Sequence, residues 1–182
     1  MYPLRRMGPL AAAAALSSAL TLTGCAATNV SSYLARNADL TRYHSYDWAP
    51  ADRFGTGDPR LDNNPFFQER VQTAVEKQLA TRGFERVTAG TPELVLHYHA
   101  SVRQRLSANT ADQKYGYCDE CTPYVYDAGT LVIDFVDART NKLVWRGWAE
   151  GSIDGAIDNQ RWMEEQIDKA VGRILTELPR LS

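Results

Sequence analysis

The chain has 182 residues, of which 44% are hydrophobic and 23% charged, a composition typical of one globular domain with a sizeable core. Its formal charge is −2, and it becomes −4 without Arg5 and Arg6, which lie in a segment predicted below to be removed. No basic patch remains that would attract nucleic acid, so the composition argues against a nucleic-acid-binding role.

The first 24 residues have the layout of an export signal, and we predict that they are removed. Arg5 and Arg6 form its charged start, and an apolar run from Leu10 to Leu22 follows. At about 13 residues, this run is too short to cross a bilayer as a helix. Its end, Leu22–Cys25 (LTGC), resembles the lipobox of bacterial lipoproteins. The alternative is a plain signal peptide that is cut after small residues.

The lipobox resemblance implies cleavage before Cys25, diacylglycerol on its sulfur and a further acyl group, such as palmitate, on its amino group. Two or three acyl chains hold a protein on a membrane almost permanently, because each buried CH₂ contributes about 0.8 kcal/mol. Ala26 stands where an Asp would resemble an inner-membrane retention signal, which favours the outer membrane. We therefore predict an outer-membrane lipid anchor facing the periplasm, with residues 25–40 as a lipidated N-terminus and flexible tether.

The folded domain, residues 41–182, is predicted to begin with an aromatic-rich strand over Thr41–Trp48. After a loop, a helix is predicted to open at Pro65 with Asn64 as its N-cap, and Gly83 is predicted to end it. Apolar residues at steps of three and four form one stripe on this helix: Phe67, Val71, Ala74, Val75 and Leu79.

A second strand is predicted over Pro92–Val102, with Leu94, Leu96, Tyr98, Ala100 and Val102 on one face and His97 and His99 on the other. The polar segment that follows, residues 104–123, contains Cys118 and Cys121. A loop of this length inside a compact domain is usually functional or disordered.

The stretch Gly129–Gly151 is predicted to form a hairpin of two strands joined by the polar turn Asp137–Asn141. Gly147 inside its second strand indicates a bulge or a helix that crosses close above it. One face is predicted to be core: Leu131, Ile133, Phe135, Leu143, Trp145 and Ala149. The opposite face carries Asp134, Arg146, Trp148 and Glu150.

The last predicted helix starts near Asp158 as N-cap and stops at Pro179. Its apolar stripe comprises Met163, Ile167, Ala170, Val171, Ile174, Leu175 and Leu178. The order β-α-β-β-β-α predicts an α+β domain in two layers, an antiparallel sheet of about four strands with both helices packed on one face.

Several short stretches resemble a known family: Tyr46–Trp48 in the first strand, Arg82–Phe84 at the helix end, Glu93–Tyr98, and above all Gly129–Gly147 with Asp134, Asp137, Trp145 and Arg146. Together they resemble the bacterial envelope proteins grouped as domain-of-unknown-function family 4136. The resemblance covers about residues 43–179. It implies a small envelope lipoprotein and a fold, with no established activity and no catalytic residues to carry over.

Cys118 and Cys121 form an even pair in an oxidising compartment, and a disulfide between them is the leading prediction. A redox motif is disfavoured because two acidic residues separate the thiols and a strand follows, which does not lower a thiol pKa. A zinc site needs about four ligands, and His97 and His99 are the side chains that would complete it. The two histidines are otherwise polar residues on an outward sheet face.

The outward face of the hairpin offers a candidate binding surface. Asp134 and Arg146 form either a cross-strand ion pair or part of a polar binding site. Trp148 would leave an apolar band on this face unless the long loop or a partner covered it.

The leading hypothesis is a non-enzymatic, lipid-anchored envelope protein that binds an envelope protein or component through its open sheet face or long loop. No catalytic motif is found, no catalytic residue is assigned, and no cofactor is predicted beyond the lipid on Cys25. The alternative is a metal-binding or thiol-redox periplasmic protein that uses His97, His99, Cys118 and Cys121.

Overall fold

The computed structural model describes residues 28–50, 55–62, 64–107 and 124–179. A 3₁₀ turn, Leu40–Arg42, lies between the first two strands. The other elements, in chain order, are β1 (Asn29–Leu34), β2 (Ser45–Trp48), α1 (Pro65–Ala80), β3 (Glu85–Arg86), β4 (Leu94–Ser107), β5 (Tyr124–Asp137), β6 (Lys142–Ser152) and α2 (Gln160–Thr176).

The strands described form a six-stranded mixed sheet in the order β1-β6-β5-β4-β2-β3. The predicted α+β class is confirmed, but the prediction of about four strands, all antiparallel, is wrong. β2 runs parallel to both β3 and β4. The chain leaves the sheet at the end of β2, and α1 carries it back to the end of the sheet where β2 begins, so the next strand runs in the same direction.

The first strand lies inside the segment predicted to be a flexible tether. β1 pairs antiparallel with β6, with Asn29 opposite Glu150 and Leu34 opposite Trp145. β1 is short and mostly exposed. Its sequence, NVSSYL, lacks the alternation of apolar and polar residues by which a strand is recognised. The pairing with β6, which is distant in sequence, makes this segment a strand.

Both helices begin and end through local interactions. The Asn64 side chain accepts a hydrogen bond from the Phe67 amide, as predicted for the N-cap of α1. Gly83 has φ +81° beyond the end of α1, and Phe84 folds back so that its amide reaches the Leu79 carbonyl. The N-cap of α2 is Asn159 rather than the predicted Asp158, because the Asn159 side chain accepts a hydrogen bond from the Trp162 amide.

The apolar stripes of both helices pack on one face of the sheet. The five stripe residues predicted for α1 are all buried, and so are the members of the α2 stripe except the half-buried Ala170. They meet the core-facing residues of the strands: Leu94, Leu96, Leu131, Ile133, Phe135, Trp145 and Ala149.

One core residue of the hairpin differs from the prediction. Phe135 pairs with Trp145, but the next residue, Val136, pairs with Leu143, so β6 carries one extra residue at Val144. This bulge turns Val144 into the core and leaves Leu143 half-buried, which corrects the prediction that Leu143 is a core residue.

Trp145 lies at the centre of the packing and is fully buried. Its ring meets that of Phe135 edge-on, with centroids 5.0 Å apart. A Cβ placed on Gly147 would lie 2.7 Å from Cγ2 of Ile174 in α2 and would also collide with the Trp145 ring. Gly147 therefore lets α2 and the indole approach the sheet closely, as the strand glycine indicated.

Trp145→Ala is expected to lower the free energy of unfolding by about 3–5 kcal/mol, because it removes a large, fully buried side chain. Trp145→Phe is expected to cost less than half of that, because the indole Nε1 is buried without a hydrogen-bond partner in the described part of the chain. Urea unfolding measures both values. The half-exposed Trp162→Ala is the control, and a Trp145→Ala cost of less than about 1 kcal/mol would contradict this packing.

Candidate functional site

The sheet face opposite the helices holds the candidate site, and we call it the open face. Cross-strand pairing places Arg146 opposite Asp134, which in turn lies opposite His97. Trp148 pairs with Val132, and Val132 pairs with His99. The register therefore brings the five residues predicted from the sequence, Asp134, Arg146, Trp148, His97 and His99, onto one continuous surface across three strands.

Asp134 is the buried charge of this surface, with only 4% of the residue exposed. Arg146 donates two hydrogen bonds to the Asp134 carboxylate, from Nε to Oδ1 at 2.6 Å and from Nη2 to Oδ2 at 2.5 Å. His99 Nε2 lies 3.5 Å from Oδ2 and adds attraction when its ring is protonated. A carboxylate removed from water is stable only with such partners, so the predicted cross-strand pair is the structural centre of the open face.

Arg146 can do more than neutralise Asp134. Its side chain is 44% exposed, and its hydrogen bonds to described residues all go to that one carboxylate. Because the hydrogen bonds to Asp134 stabilise the charged guanidinium, they raise the pKa of Arg146 above its usual value. A guanidinium has five N–H donors in a planar fork, so Nη1 remains available for an acceptor on a binding partner.

His97 and His99 lie side by side on β4. Their rings are stacked, with centroids 6.4 Å apart and an interplanar angle of 13°. In the part of the chain that the structure describes, no group of three or more His, Cys, Asp or Glu side chains is placed to hold a metal ion. Cys118 and Cys121, the predicted disulfide or the second half of a metal site, lie outside the described residues.

β1 extends the open face in a way that sequence reasoning missed. Ser31 lies opposite Trp148, and Tyr33 lies opposite Arg146 with 51% of its surface exposed. The half-buried Trp148 therefore has β1 beside it as well as Val132 of β5. The sequence of residues 29–34, NVSSYL, offered no signal for this, because it lacks a regular alternation of apolar and polar residues.

Two carboxylates, Asp137 and Glu93, have structural roles that were not predicted from the sequence. Asp137 accepts hydrogen bonds from the Thr140 amide and hydroxyl, the Arg139 amide and the Tyr43 hydroxyl, and these lower its pKa to about 2. The Glu93 carboxylate accepts hydrogen bonds from the His44 and Ser45 amides, and these lower its pKa because they stabilise the charged form. Both carboxylates therefore stabilise turns and strand ends, and we assign neither to the candidate binding surface.

An apolar recess lies on the covered side of the sheet, between its end near Gly129 and the first half of α2. Its volume is about 100 Å³, and Leu131, Ile153, Met163 and Ile167 are among the residues that line it. An engineered apolar cavity of roughly 150 Å³ takes up benzene, so this recess has room only for a small apolar group.

Most of the chain matches a known protein family. Residues 30–180 match the family described as a domain of unknown function, DUF4136. The chain belongs to this family. No curated protein matches it. Within the described residues, neither helix is both long and apolar enough to cross a membrane.

Solved structures resemble the chain at low sequence identity. A PDZ domain protein from Parabacteroides distasonis is 13% identical with a TM-score of 0.55, over 84% of this chain and 36% of that one. The chain thus spans about a third of that protein's length. The PelC dodecamer from Paraburkholderia phytofirmans is 11% identical with a TM-score of 0.48, over 85% of this chain and 99% of that one.

Arg146→Met is expected to destabilise the protein by about 2–4 kcal/mol, because it leaves the buried Asp134 carboxylate without its main partner. The double variant Asp134→Leu/Arg146→Met is expected to cost much less than Arg146→Met alone, since no buried charge remains. Chemical unfolding of the variants gives the coupling energy. Arg105→Met serves as the control because Arg105 forms a more exposed pair with Glu150, worth less than about 1 kcal/mol. Equal costs for the Arg105 and Arg146 variants would contradict the argument.

Proposed function

We propose that this member of the DUF4136 family is a lipid-anchored protein of the bacterial cell envelope that binds a partner protein or envelope component through its open face, without catalysing a reaction. The observation that carries the proposal is the open face itself. It holds a buried carboxylate clamped by an exposed arginine, beside a tryptophan and two histidines, and neither helix packs on it.

The side chains of this face suit protein recognition. Arginine and tryptophan are enriched among the residues that dominate binding energy at protein interfaces. Asp134 fixes the Arg146 guanidinium before a partner arrives, so less conformational entropy is lost when an acceptor binds Nη1. Tyr33, opposite Arg146 in β1, and Trp148, two residues farther along β6, add apolar area to the same face.

The anchor is the second part of the proposal. The lipobox-like Leu22–Cys25 supports removal of residues 1–24 and lipid attachment at Cys25, and Ala26 supports an outer-membrane position facing the periplasm. An anchored binding module meets only partners that reach the same membrane surface. Tethering raises the effective concentration of such partners, so even a small interface serves.

Metal binding is a second candidate, and the stacked His97 and His99 favour it. Cys118 and Cys121 would have to complete the site. Elemental analysis of the purified protein separates the two functions, since stoichiometric zinc or copper that is lost in His97→Ala would favour a metal site.

Cells fed a labelled fatty acid are expected to incorporate the label into the wild-type protein and not into Cys25→Ser. The reason is that the cysteine sulfur carries the diacylglycerol and directs processing. Electrophoresis with detection of the label gives the result, and Cys118→Ser is the matched cysteine control, which should still label. A labelled Cys25→Ser protein would refute the anchor.

A photoreactive phenylalanine at Ser31, which is exposed opposite Trp148, is expected to crosslink a discrete envelope component in intact cells. The crosslink should weaken severalfold in Trp148→Ala and Arg146→Gln, because both remove contacts of the open face. The same probe at Lys77, exposed on α1, is the control. Crosslinks that are equally strong from both positions, or that persist in both variants, would contradict binding through this face.

A further inference from the structure

β4 and β5 extend beyond the rest of the sheet as a two-stranded ribbon. The last pair between β5 and β6 is Ala128 with Ser152, whereas β4 and β5 continue to pair as far as Ser107 with Tyr124. Four residue pairs thus lie past the end of β6. At about 3.3 Å per residue, the ribbon projects roughly 13 Å.

The ribbon carries an exposed apolar pair. Leu106 and Val125 lie directly opposite each other, with 67% and 59% of their surfaces exposed. By strand alternation they continue the core-facing side of β4 and β5, on which Leu96 and Ile133 are buried under the helices. The apolar side of β4 and β5 therefore continues beyond the part that the helices cover, and no described residue buries Leu106 and Val125 there.

A third exposed apolar side chain lies at the same end of the domain. α2 starts at Gln160, shortly after β6 ends, and its early residue Trp162 is 43% exposed. Large hydrophobic residues that are at least two-fifths exposed are few among the described residues, and Leu106, Val125 and Trp162 are three of the five. A tryptophan near a membrane prefers the boundary between headgroups and acyl chains.

The proposed anchor enters at this end as well. β1 begins at Asn29, opposite Glu150 near the end of β6, and Thr28 precedes it. Only three residue steps separate Thr28 from Cys25, and a chain spans at most about 3.6 Å per residue, or roughly 11 Å. This reach is no longer than the projection of the ribbon, so a lipid on Cys25 brings the bilayer to the level of Leu106 and Val125.

We propose that this end of the domain rests directly on the outer membrane, with Leu106, Val125 and Trp162 in contact with the boundary between headgroups and acyl chains. The proposal rests on the lipid anchor at Cys25. It adds that the domain does not stand away from the lipid on a long tether, and it fixes the orientation of the domain. The strands then rise from the membrane, and the β5–β6 turn lies farthest from it.

The test uses the full lipidated protein, reconstituted in phosphatidylethanolamine and phosphatidylglycerol vesicles with or without brominated acyl chains, which quench nearby tryptophan emission. Leu106→Trp and Val125→Trp each add one probe at the ribbon. Arg139→Trp adds a probe at an exposed position in the β5–β6 turn, at the far end of β5. Trp162→Phe removes the native probe.

The proposal predicts that emission added at positions 106 and 125 is quenched at least about threefold more strongly than emission added at position 139. It also predicts that Trp162→Phe loses most of the quenching shown by the wild-type protein. If the lipidated protein floats with the vesicles but the three positions are quenched equally, the proposed orientation is wrong and the anchor stands. If Cys25 carries no lipid, both the anchor and this inference fail.

Discussion

Both helices are buried against one face of the sheet, and the rest of the structure depends on this packing. Trp145 lies at its centre, with the Phe135 ring against its edge and α2 above it. The close approach of α2 is possible because residue 147 is glycine. The hairpin that supplies these residues also provides the pairing surface for β1 on one side and β4 on the other. Packing on one face determines which side of every strand is left open.

Neither helix packs on the other side of the sheet. Among the described residues this side carries polar side chains, and they include the Asp134 carboxylate, which is almost completely buried. Asp134 is stable there because Arg146 lies opposite it in the next strand and His99 is near it in the preceding one. The arrangement that satisfies Asp134 also fixes a partly exposed guanidinium on the same face as Tyr33 and Trp148.

Local features could be predicted from the sequence, and features that depend on distant pairing could not. The α1 stripe, the Asn64 cap and the Gly83 turn are encoded within a few residues of where they act, so periodicity and capping rules found them. The strand character of residues 29–34 and the bulge at Val144 depend on partners elsewhere in the chain. At the site, alternation predicted that Asp134 and Arg146 share a face, but the burial of Asp134 depends on the tertiary structure and has no signal in the local sequence.

The central claim is that the open face is occupied by a partner in the envelope. Hydroxyl-radical footprinting tests this most directly by comparing the purified, vesicle-anchored protein with the protein in intact envelopes. Tyr33 and Leu34 form a matched pair, because they are adjacent in β1, both exposed, and paired with residues on opposite faces of β6. A bound partner should lower the oxidation of Tyr33 severalfold in envelopes and leave that of Leu34 nearly unchanged. Equal oxidation of Tyr33 in the two preparations would contradict the claim.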